Sequence, residues 1–253
     1  MQLGSPFRSL PPVTKNILIV NLIIWAFLNL VPASTAMRTE QIGALHYFSS
    51  SDFNPAQLFT YMFMHKDFFH LFFNMFALYM FGLIIERAVG SARFLFYYVS
   101  CGIGAALIQM GVFAIMISNL QSQIPASQLH EVMDMIHTEG ARLMATGYNY
   151  MGIIGELNGL INVPVIGASG AIFGILLAFG FMYPRQPLYL LFIPVPIQAR
   201  WFVLGYGAIE LLQGISNRSG DNVAHFAHIG GMVIGILILL YWKKKGIITI
   251  NRF

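Results

Sequence analysis

The sequence contains few charged residues for its length. Asp, Glu, Lys and Arg together make up 9% of the 253 residues, whereas a typical soluble domain has about 25%. Hydrophobic residues make up 57% of the chain and its mean hydropathy is +0.69. Because so few charges cannot cover a surface that faces water, the composition excludes a soluble globular protein. It predicts an integral membrane protein.

The sequence also contains little cysteine and little of the alternating pattern of a β-barrel strand. The single cysteine, Cys101, excludes an internal disulfide and lies in an apolar stretch, which predicts an inert buried thiol. The apolar runs are long and unbroken, unlike the weak alternation of a barrel strand. A helix satisfies every backbone amide within its own segment, as a membrane requires. The predicted fold class is therefore an all-α membrane protein.

Six apolar segments are candidate membrane spans, which take roughly 17–25 residues each. They cover residues 16–31, 57–85, 94–117, 167–183, 199–215 and 223–242. This pattern predicts one domain over residues 1–253, a bundle of six transmembrane helices. Residues 118–162 form a non-spanning outer insert, in which Leu129, Val132, Ile136 and Leu143 recur at helical spacing. Two interpretations stay open for that helix: it lies on the outer leaflet, or it packs on top of the bundle.

The basic residues are distributed unevenly in this topology. The formal charge is +4, and ten of the 14 basic residues fall on one face. That asymmetry follows the positive-inside rule and puts both termini in the cytoplasm. No nucleic-acid footprint accompanies it. The expected location is a multi-pass protein of a bacterial inner membrane. The ten residues are Arg8, Lys15, Arg87, Arg93, Arg185, Arg200, Lys243, Lys244, Lys245 and Arg252.

The first apolar segment has a second interpretation. Positive residues, an apolar stretch and "PASTAM" are similar to a signal peptide that is cleaved after Ala36. The apolar stretch is long for a signal peptide, and its removal would leave five spans and an unexplained charge bias. We therefore expect the first helix to be retained.

Polar side chains inside the spans form three clusters, and such residues are costly in a membrane unless they have a function. Taken singly, each cluster has a structural explanation: a serine bonds its own helix, a histidine sits at the membrane surface, and glycines pack helices. The clusters are His65, His70 and Asn74 in the second span, Ser169 in the fourth, and His225 with His228 in the sixth.

Small residues give these clusters a common geometry. They recur every four positions on two spans, at Gly170, Gly174 and Ala178 and at Ala227, Gly231 and Gly235. Such stripes let two helices approach backbone to backbone. Packing the stripes together brings Ser169 beside His228, which is the pairing of a nucleophile with its general base. Backbone amides around Ser169, together with His70 and Asn74, are candidate donors for an oxyanion.

These motifs resemble the rhomboid family of intramembrane serine proteases. The matching stretches are "GASGAIFG" around Ser169, "AHIGGMVIG" around His228, "HLFFNMFALYMFG" with His70 and Asn74, and the charged turn "ERAVGSARF". The resemblance implies a serine endopeptidase that cuts transmembrane segments of membrane proteins, with Ser169 as nucleophile and His228 as base. It assigns His70 and Asn74 to oxyanion stabilisation. It implies a dyad without a carboxylate, and no cofactor or metal.

The sequence departs from the family pattern at three places. Phe173 replaces a tyrosine that some members place under the histidine ring, and phenylalanine can still stack there. The first loop lacks a Trp-Arg pair found in some members, so its anchoring is open. The insert 118–162 is longer than in compact members and has no assigned role.

Two carboxylates and two other functions stay open. A triad-like Asp221–His225 pair is conceivable, although Asp221 lies at the watery end of its helix. Glu210, in the fifth span, faces a water-filled cavity or bonds a neighbouring helix, and by resemblance that span is the substrate gate. A catalytically silent rhomboid-like protein that binds transmembrane helices would lack Ser169 or His228. A transporter would show a repeated half, which this sequence does not.

Overall fold

The computed structural model describes residues 10–189, 195–216 and 224–250. Asp221, and the basic residues Arg8, Arg218 and Arg252 of the predicted topology, lie outside the described residues. The helices of the first half are α1 (Pro12–Leu30), α2 (Ala33–Gly43), α3 (Gln57–Thr60), α4 (Phe68–Ala77), α5 (Leu83–Val89) and α6 (Ser91–Gln121). Those of the second half are α7 (Ala126–Met135), α8 (Ala141–Ala145), α9 (Gly152–Asn162), α10 (Ser169–Met182), α11 (Ala199–Ser216) and α12 (His225–Lys244).

Short elements join these helices. Tyr61–Phe63 is a 3-10 turn, and π-helical segments at Leu78–Gly82 and Ile136–Gly140 connect α4 to α5 and α7 to α8. Strands β1 (Pro187–Leu188) and β2 (Ile197–Gln198) form one antiparallel pair between α10 and α11.

Four helices of the described residues are long and apolar enough to cross a membrane: Pro12–Leu30, Phe68–Val89, Ser91–Gln121 and His225–Lys244. The predicted all-α membrane bundle is confirmed. The prediction of six spans is not settled by length, because α10 has only 14 residues and α11 is not among these four helices.

The second span begins later than the sequence analysis predicts. Residues 57–63 form α3 and the 3-10 turn, and the backbone is extended at Met64. Asp67 then caps α4, because its side chain accepts a hydrogen bond from the His70 amide at 2.8 Å. The predicted start at residue 57 is therefore wrong, and His65 lies in the connection before the spanning helix.

The centre of the bundle is α10, which packs between α6 and α12. Eleven of its 14 residues are buried. A Cβ atom added to Gly231 would lie 1.8 Å from the carbonyl oxygen of Gly170, and one added to Gly174 would lie 2.6 Å from the Cys101 sulfur. The backbones of α10 and α12 are thus in contact, and the predicted packing of the two small-residue stripes is confirmed.

A buried side chain, Gln57, helps to anchor the first loop. One N–H of Gln57 donates to the carbonyl oxygen of Asp52 (2.8 Å), and the other is shared between those of Ile42 (3.2 Å) and Gln41 (3.3 Å). Its Oε1 accepts from the His46 amide (3.2 Å). One glutamine therefore satisfies four backbone groups of the segment between α2 and α3. These bonds hold the first loop in place without the Trp-Arg pair found in some family members.

The insert folds onto the end of the bundle. Helix α6 continues through Gln121, and α7 and α8 run on through the π segment as the predicted amphipathic helix. Ile136 is fully buried with Ile117, Leu157 and Ile161. Asn158 and Asn162 donate to the carbonyl oxygens of Gly140 and Ile136, at 3.3 and 3.2 Å. These contacts favour a helix packed on the bundle over one lying free on the leaflet.

The charged turn after the second span caps the first helix. Glu86 is buried, and its carboxylate accepts from the amides of Val13 (2.9 Å) and Thr14 (2.7 Å) and from the Ser91 hydroxyl (2.7 Å). The N-cap residue of α1 is Pro11, whose side chain cannot accept a bond. Glu86 therefore satisfies donors that the first turn of α1 leaves unpaired.

Replacing Glu86 with alanine is expected to lower the stability of the protein. Two backbone amides would lose their buried acceptor, which costs about 1–3 kcal/mol. In thermal unfolding in detergent, Tm should fall by roughly 2–12 °C. The matched control is Glu40→Ala, which removes an exposed carboxylate from α2 and should leave Tm unchanged. Equal Tm values for the two variants would contradict the capping role.

Candidate active site

Ser169 is the first residue of α10, and the chain before it is held in place. Gly167 has φ of +115° and its amide donates to the Tyr61 carbonyl at 2.9 Å. Val165 and Leu45 exchange two backbone hydrogen bonds, at 2.8 and 2.9 Å. A side chain at Gly167 would also collide with His70, because its Cβ would lie 2.6 Å from Nε2. The backbone amides of the first turn of α10 lie beside Ser169, and they have no acceptor within the helix.

His228 lies in the first turn of α12 and meets Ser169 directly. The distance between His228 Nε2 and Ser169 Oγ is 2.8 Å, which is a hydrogen bond. The close contact of Gly170 with Gly231 positions both residues, because it brings the two helix starts together. The structure thus brings together the two residues that the sequence analysis selected as nucleophile and base.

Phe173 lies one turn below Ser169 and stacks on the imidazole of His228. The ring centroids are 4.2 Å apart and the planes differ by 8°. Tyr206 of α11 packs against the other side of Phe173, with centroids 4.8 Å apart. The stacking expected of phenylalanine at this position is confirmed, and it restricts rotation of the imidazole ring.

If Ser169 and His228 act as nucleophile and base, replacing Phe173 with alanine is expected to slow their reaction about fivefold. An aromatic stacking contact is worth about 1 kcal/mol, and 1.36 kcal/mol corresponds to a tenfold change in rate. Phe173→Tyr keeps the stack and is the matched control, with a rate close to that of the wild type. The rates are measured on a membrane-anchored substrate. A full rate for the alanine variant would show that the stack does not position His228.

Glu210 is the residue of the candidate site that sequence reasoning did not place. Its Oε2 lies 2.7 Å from Nδ1 of His228 and 2.6 Å from Nδ1 of His225. All three side chains are buried. The only signal in the sequence was the presence of a carboxylate in an apolar helix, which requires a partner. His225 therefore bonds the carboxylate of Glu210. The sequence analysis considered Asp221 as the partner of His225, and Asp221 lies outside the described residues.

The same three side chains have the spacing of a metal site. Glu210, His225 and His228 each offer one ligand atom, and these atoms lie within 4.8 Å of one another. Hydrogen bonds between the two rings and the carboxylate account for this spacing. The absence of a metal therefore stays a prediction.

His70 and Asn74 face the same cavity as Ser169. Nδ1 of His70 accepts from the Lys66 amide at 3.4 Å, which places the ring proton on Nε2, the nitrogen beside Gly167. Asn74 donates one N–H to the carbonyl oxygen of His70 at 2.8 Å. A carboxamide has two N–H groups, so Asn74 has one donor left for a ligand.

His65 is buried beside His70, with ring centroids 5.0 Å apart. Burial, together with the neighbouring His70, lowers the pKa of His65 to about 4. A histidine with a lowered pKa is charged only below that value, so His65 is neutral at physiological pH. It therefore adds an apolar contact to His70 and no charge to the site.

The candidate site opens onto a cavity of about 1110 Å³. Four side chains of the site line this cavity: Ser169, His228, His70 and Asn74. Aromatic side chains from two helices also line it: Phe69 and Phe73 of α4, and Phe202 and Tyr206 of α11. Helix α9 of the insert contributes Glu156 and Leu160. The cavity is larger than the roughly 300–1,000 Å³ of a small-molecule site, so it has room for a short extended peptide.

Comparison with known proteins agrees with this architecture. The family model of the Rhomboid domain matches residues 53–245. The chain is 26% identical over 182 residues to Rhomboid protein 1, mitochondrial, of Saccharomyces cerevisiae, covering 72% of this chain and 40% of the relative. It is 30% identical over 182 residues to RHOMBOID-like protein 12, mitochondrial, of Arabidopsis thaliana, covering 71% and 44%.

The aligned region spans less than half the length of these two relatives. The family match itself covers well over half of this chain and includes α4 to α12. It contains every residue of the candidate site. The chain belongs to the rhomboid family and is a multi-pass membrane protein.

Proposed function

We propose that this protein is an intramembrane serine endopeptidase that cuts transmembrane segments of other membrane proteins. The observation that supports the proposal most directly is the 2.8 Å contact between Ser169 Oγ and His228 Nε2 at the wall of a large cavity. A hydroxyl becomes a nucleophile when an adjacent base can take its proton. The rhomboid family acts on membrane-embedded substrates, which supplies the substrate class.

In the proposed reaction, Ser169 Oγ attacks the scissile carbonyl carbon while its proton passes to Nε2 of His228. His228 then gives this proton to the leaving amine, which leaves an acyl ester on Ser169. A water molecule, deprotonated by His228, releases the second product and regenerates the hydroxyl. Every proton passes through Nε2 of His228, which the 2.8 Å contact holds beside Ser169 Oγ.

The negative charge on the substrate oxygen needs hydrogen-bond donors. We assign this role to Nε2–H of His70, the second N–H of Asn74 and the free amides at the start of α10. His70 lies against Gly167, two residues before the nucleophile. Donors on two different helices therefore converge on one side of Ser169.

The proposed substrate enters between α4 and α11, because both helices contribute aromatic side chains to the lining of the cavity. A peptide bond inside a helix is shielded by its own turn, so the substrate must unwind before Ser169 can reach it. We expect cleavage beside small residues in a segment that is a poor helix. Partners are thus membrane proteins within the bilayer, and no nucleic acid is expected.

The proposed topology has six spans: α1, the helix Phe68–Val89, α6, α10, α11 and α12. With its 14 residues, α10 is about 21 Å long at 1.5 Å per residue, shorter than the roughly 30 Å hydrocarbon core. Ser169, at its outer end, therefore lies below the membrane surface. The positive face is cytoplasmic in this proposal, and the membrane is a bacterial inner membrane, although two relatives carry mitochondrial names.

The test uses detergent-purified wild type and Ser169→Ala with a single-pass reporter that carries an Ala-Gly pair near the outer end of its transmembrane segment. Wild type is expected to give two fragments, and the variant to form them at least about 10³-fold more slowly. A fluorophosphonate probe should label wild type alone, which makes the result independent of the reporter sequence. Equal product from both proteins, or a wild type that binds the reporter but neither cuts it nor reacts with the probe, would reject the protease in favour of a silent binder.

A further inference from the structure

The carboxylate of Glu210 is the one acidic group in contact with the candidate base, among the residues that the structure describes. Its Oε2 lies 2.7 Å from His228 Nδ1, on the side of the ring opposite to Ser169. Glu210 is only 4% exposed. A buried charge in a membrane span is costly, so a carboxylate at this position needs strong hydrogen-bond partners.

The direction of the hydrogen bonds follows from the chemistry of the groups. An ionised carboxylate only accepts, so His228 donates to Glu210 from Nδ1–H. In the neutral ring the other nitrogen, Nε2, then has a free lone pair. That lone pair faces the Ser169 hydroxyl at 2.8 Å, which therefore donates. Glu210 thus selects the one neutral tautomer of His228 that can act as a base.

We propose that Glu210 is a positioning residue that completes a Ser169–His228–Glu210 triad, so that this rhomboid does not operate as a dyad. The inference rests on the proposed protease function. Glu210 does not touch the substrate; it acts through His228 by fixing the tautomer and the orientation of the ring.

The triad also stabilises the charge that develops during the reaction. When the Ser169 proton moves to Nε2, His228 becomes a cation with a carboxylate 2.7 Å from its other nitrogen. The His228–Glu210 pair then goes from one negative charge to none. In a site of low dielectric constant this change favours proton transfer more than it would in water.

His225 holds the carboxylate in place. Its Nδ1 lies 2.6 Å from the same Oε2, and its ring is almost perpendicular to that of His228, at 88°. Two donors from the first turn of α12 therefore fix one oxygen of a residue on α11. The triad depends on the α11–α12 contact as well as on the α10–α12 contact.

The kinetic test is Glu210→Gln, which keeps the size of the side chain. Its amide can donate to Nδ1 and so stabilise the wrong tautomer. In a soluble triad the equivalent change lowers kcat about 10⁴-fold. Here we expect kcat to fall by at least about tenfold, with KM within about twofold of the wild type. Glu40→Gln, an exposed change on α2, is the matched control and should have no effect.

A spectroscopic test separates positioning from a merely structural role. In ¹⁵N-histidine-labelled protein in micelles, assigned with His228→Gln, the wild-type ring should be protonated at Nδ1 and bare at Nε2. In Glu210→Gln we expect a shift toward the opposite tautomer. Because this readout needs no substrate, it distinguishes failure of the triad from failure of the protease proposal, which would show as an inactive wild type.

Several outcomes would overturn the triad. They are a full rate for Glu210→Gln, a lost rate with an unchanged tautomer, and a wild-type ring that carries its proton on Nε2. The last of these needs no variant, so the proposal can fail even if Glu210→Gln does not fold. Loss of wild-type activity after dialysis against EDTA, with recovery on addition of zinc, would replace the triad by a metal site.

Discussion

Alanine at Ser169, alanine at His228 and the double replacement are expected to leave the same residual cleavage rate, at least about 10³-fold below that of the wild type. The two side chains act as one unit through the 2.8 Å bond, because a nucleophile without its base, or a base without its nucleophile, does little. In soluble serine proteases the single and combined losses are about equal for this reason. The measurement is kcat/KM of all four proteins on the same reporter.

Losses of rate that multiply in the double variant would contradict the idea that Ser169 and His228 act as one unit. If the double variant were slower than either single variant by the product of their losses, the two residues would act independently and the assigned roles would be wrong. Thermal unfolding of each variant is the control for folding. The residual rate common to all three variants would measure what the oxyanion donors contribute alone.

Gly231→Ala is expected to give the second-largest loss, in both activity and stability. The added methyl carbon would lie 1.8 Å from the Gly170 carbonyl oxygen, and Cβ contacts below 3.0 Å essentially do not occur. Helices α10 and α12 must therefore separate by about 1 Å. A displacement of this size at a catalytic contact costs roughly 10²-fold in rate, and the overpacked interface costs about 1–3 kcal/mol in stability.

The matched control for this variant is Gly111→Ala on α6, where the added atom has open space around it. Both changes replace glycine by alanine in a helix, which by itself favours the helix. The Gly111 variant should therefore keep its rate, with a Tm no lower than that of the wild type. If the Gly231 variant behaved in the same way, backbone contact between α10 and α12 would not be what aligns Ser169 with His228.

The sequence predicts the α10–α12 half of the site because small residues mark the faces that touch. The glycines at positions 170, 174 and 231 specify the rotation of both helices about their axes, so the Ser169–His228 pairing follows. Nothing comparable marks α11. Its Glu210 reaches histidines 15 and 18 residues away, and no periodic pattern in that helix indicates which side faces α12.

The prediction of helix boundaries from the sequence is wrong for a related reason. An apolar run shows that a segment can be buried, but not where its backbone turns. The run from residue 57 is interrupted at Asp67 by a cap bond to the His70 amide, a local contact that hydropathy does not register. The insert is similar: its amphipathic spacing predicts the helix, whereas its packing depends on Asn158 and Asn162, which satisfy carbonyls of a π-helical turn.

The buried cysteine gives the protein a built-in reporter of its own folding. Cys101 is the only thiol in the chain, it is fully buried, and it lies against Gly174 of α10 beneath the nucleophile. A maleimide can reach it only after α6 and α10 have come apart. The rate of alkylation therefore measures how often the core opens, in native membranes and without a substrate. Variants can be compared by this rate whether or not they are active.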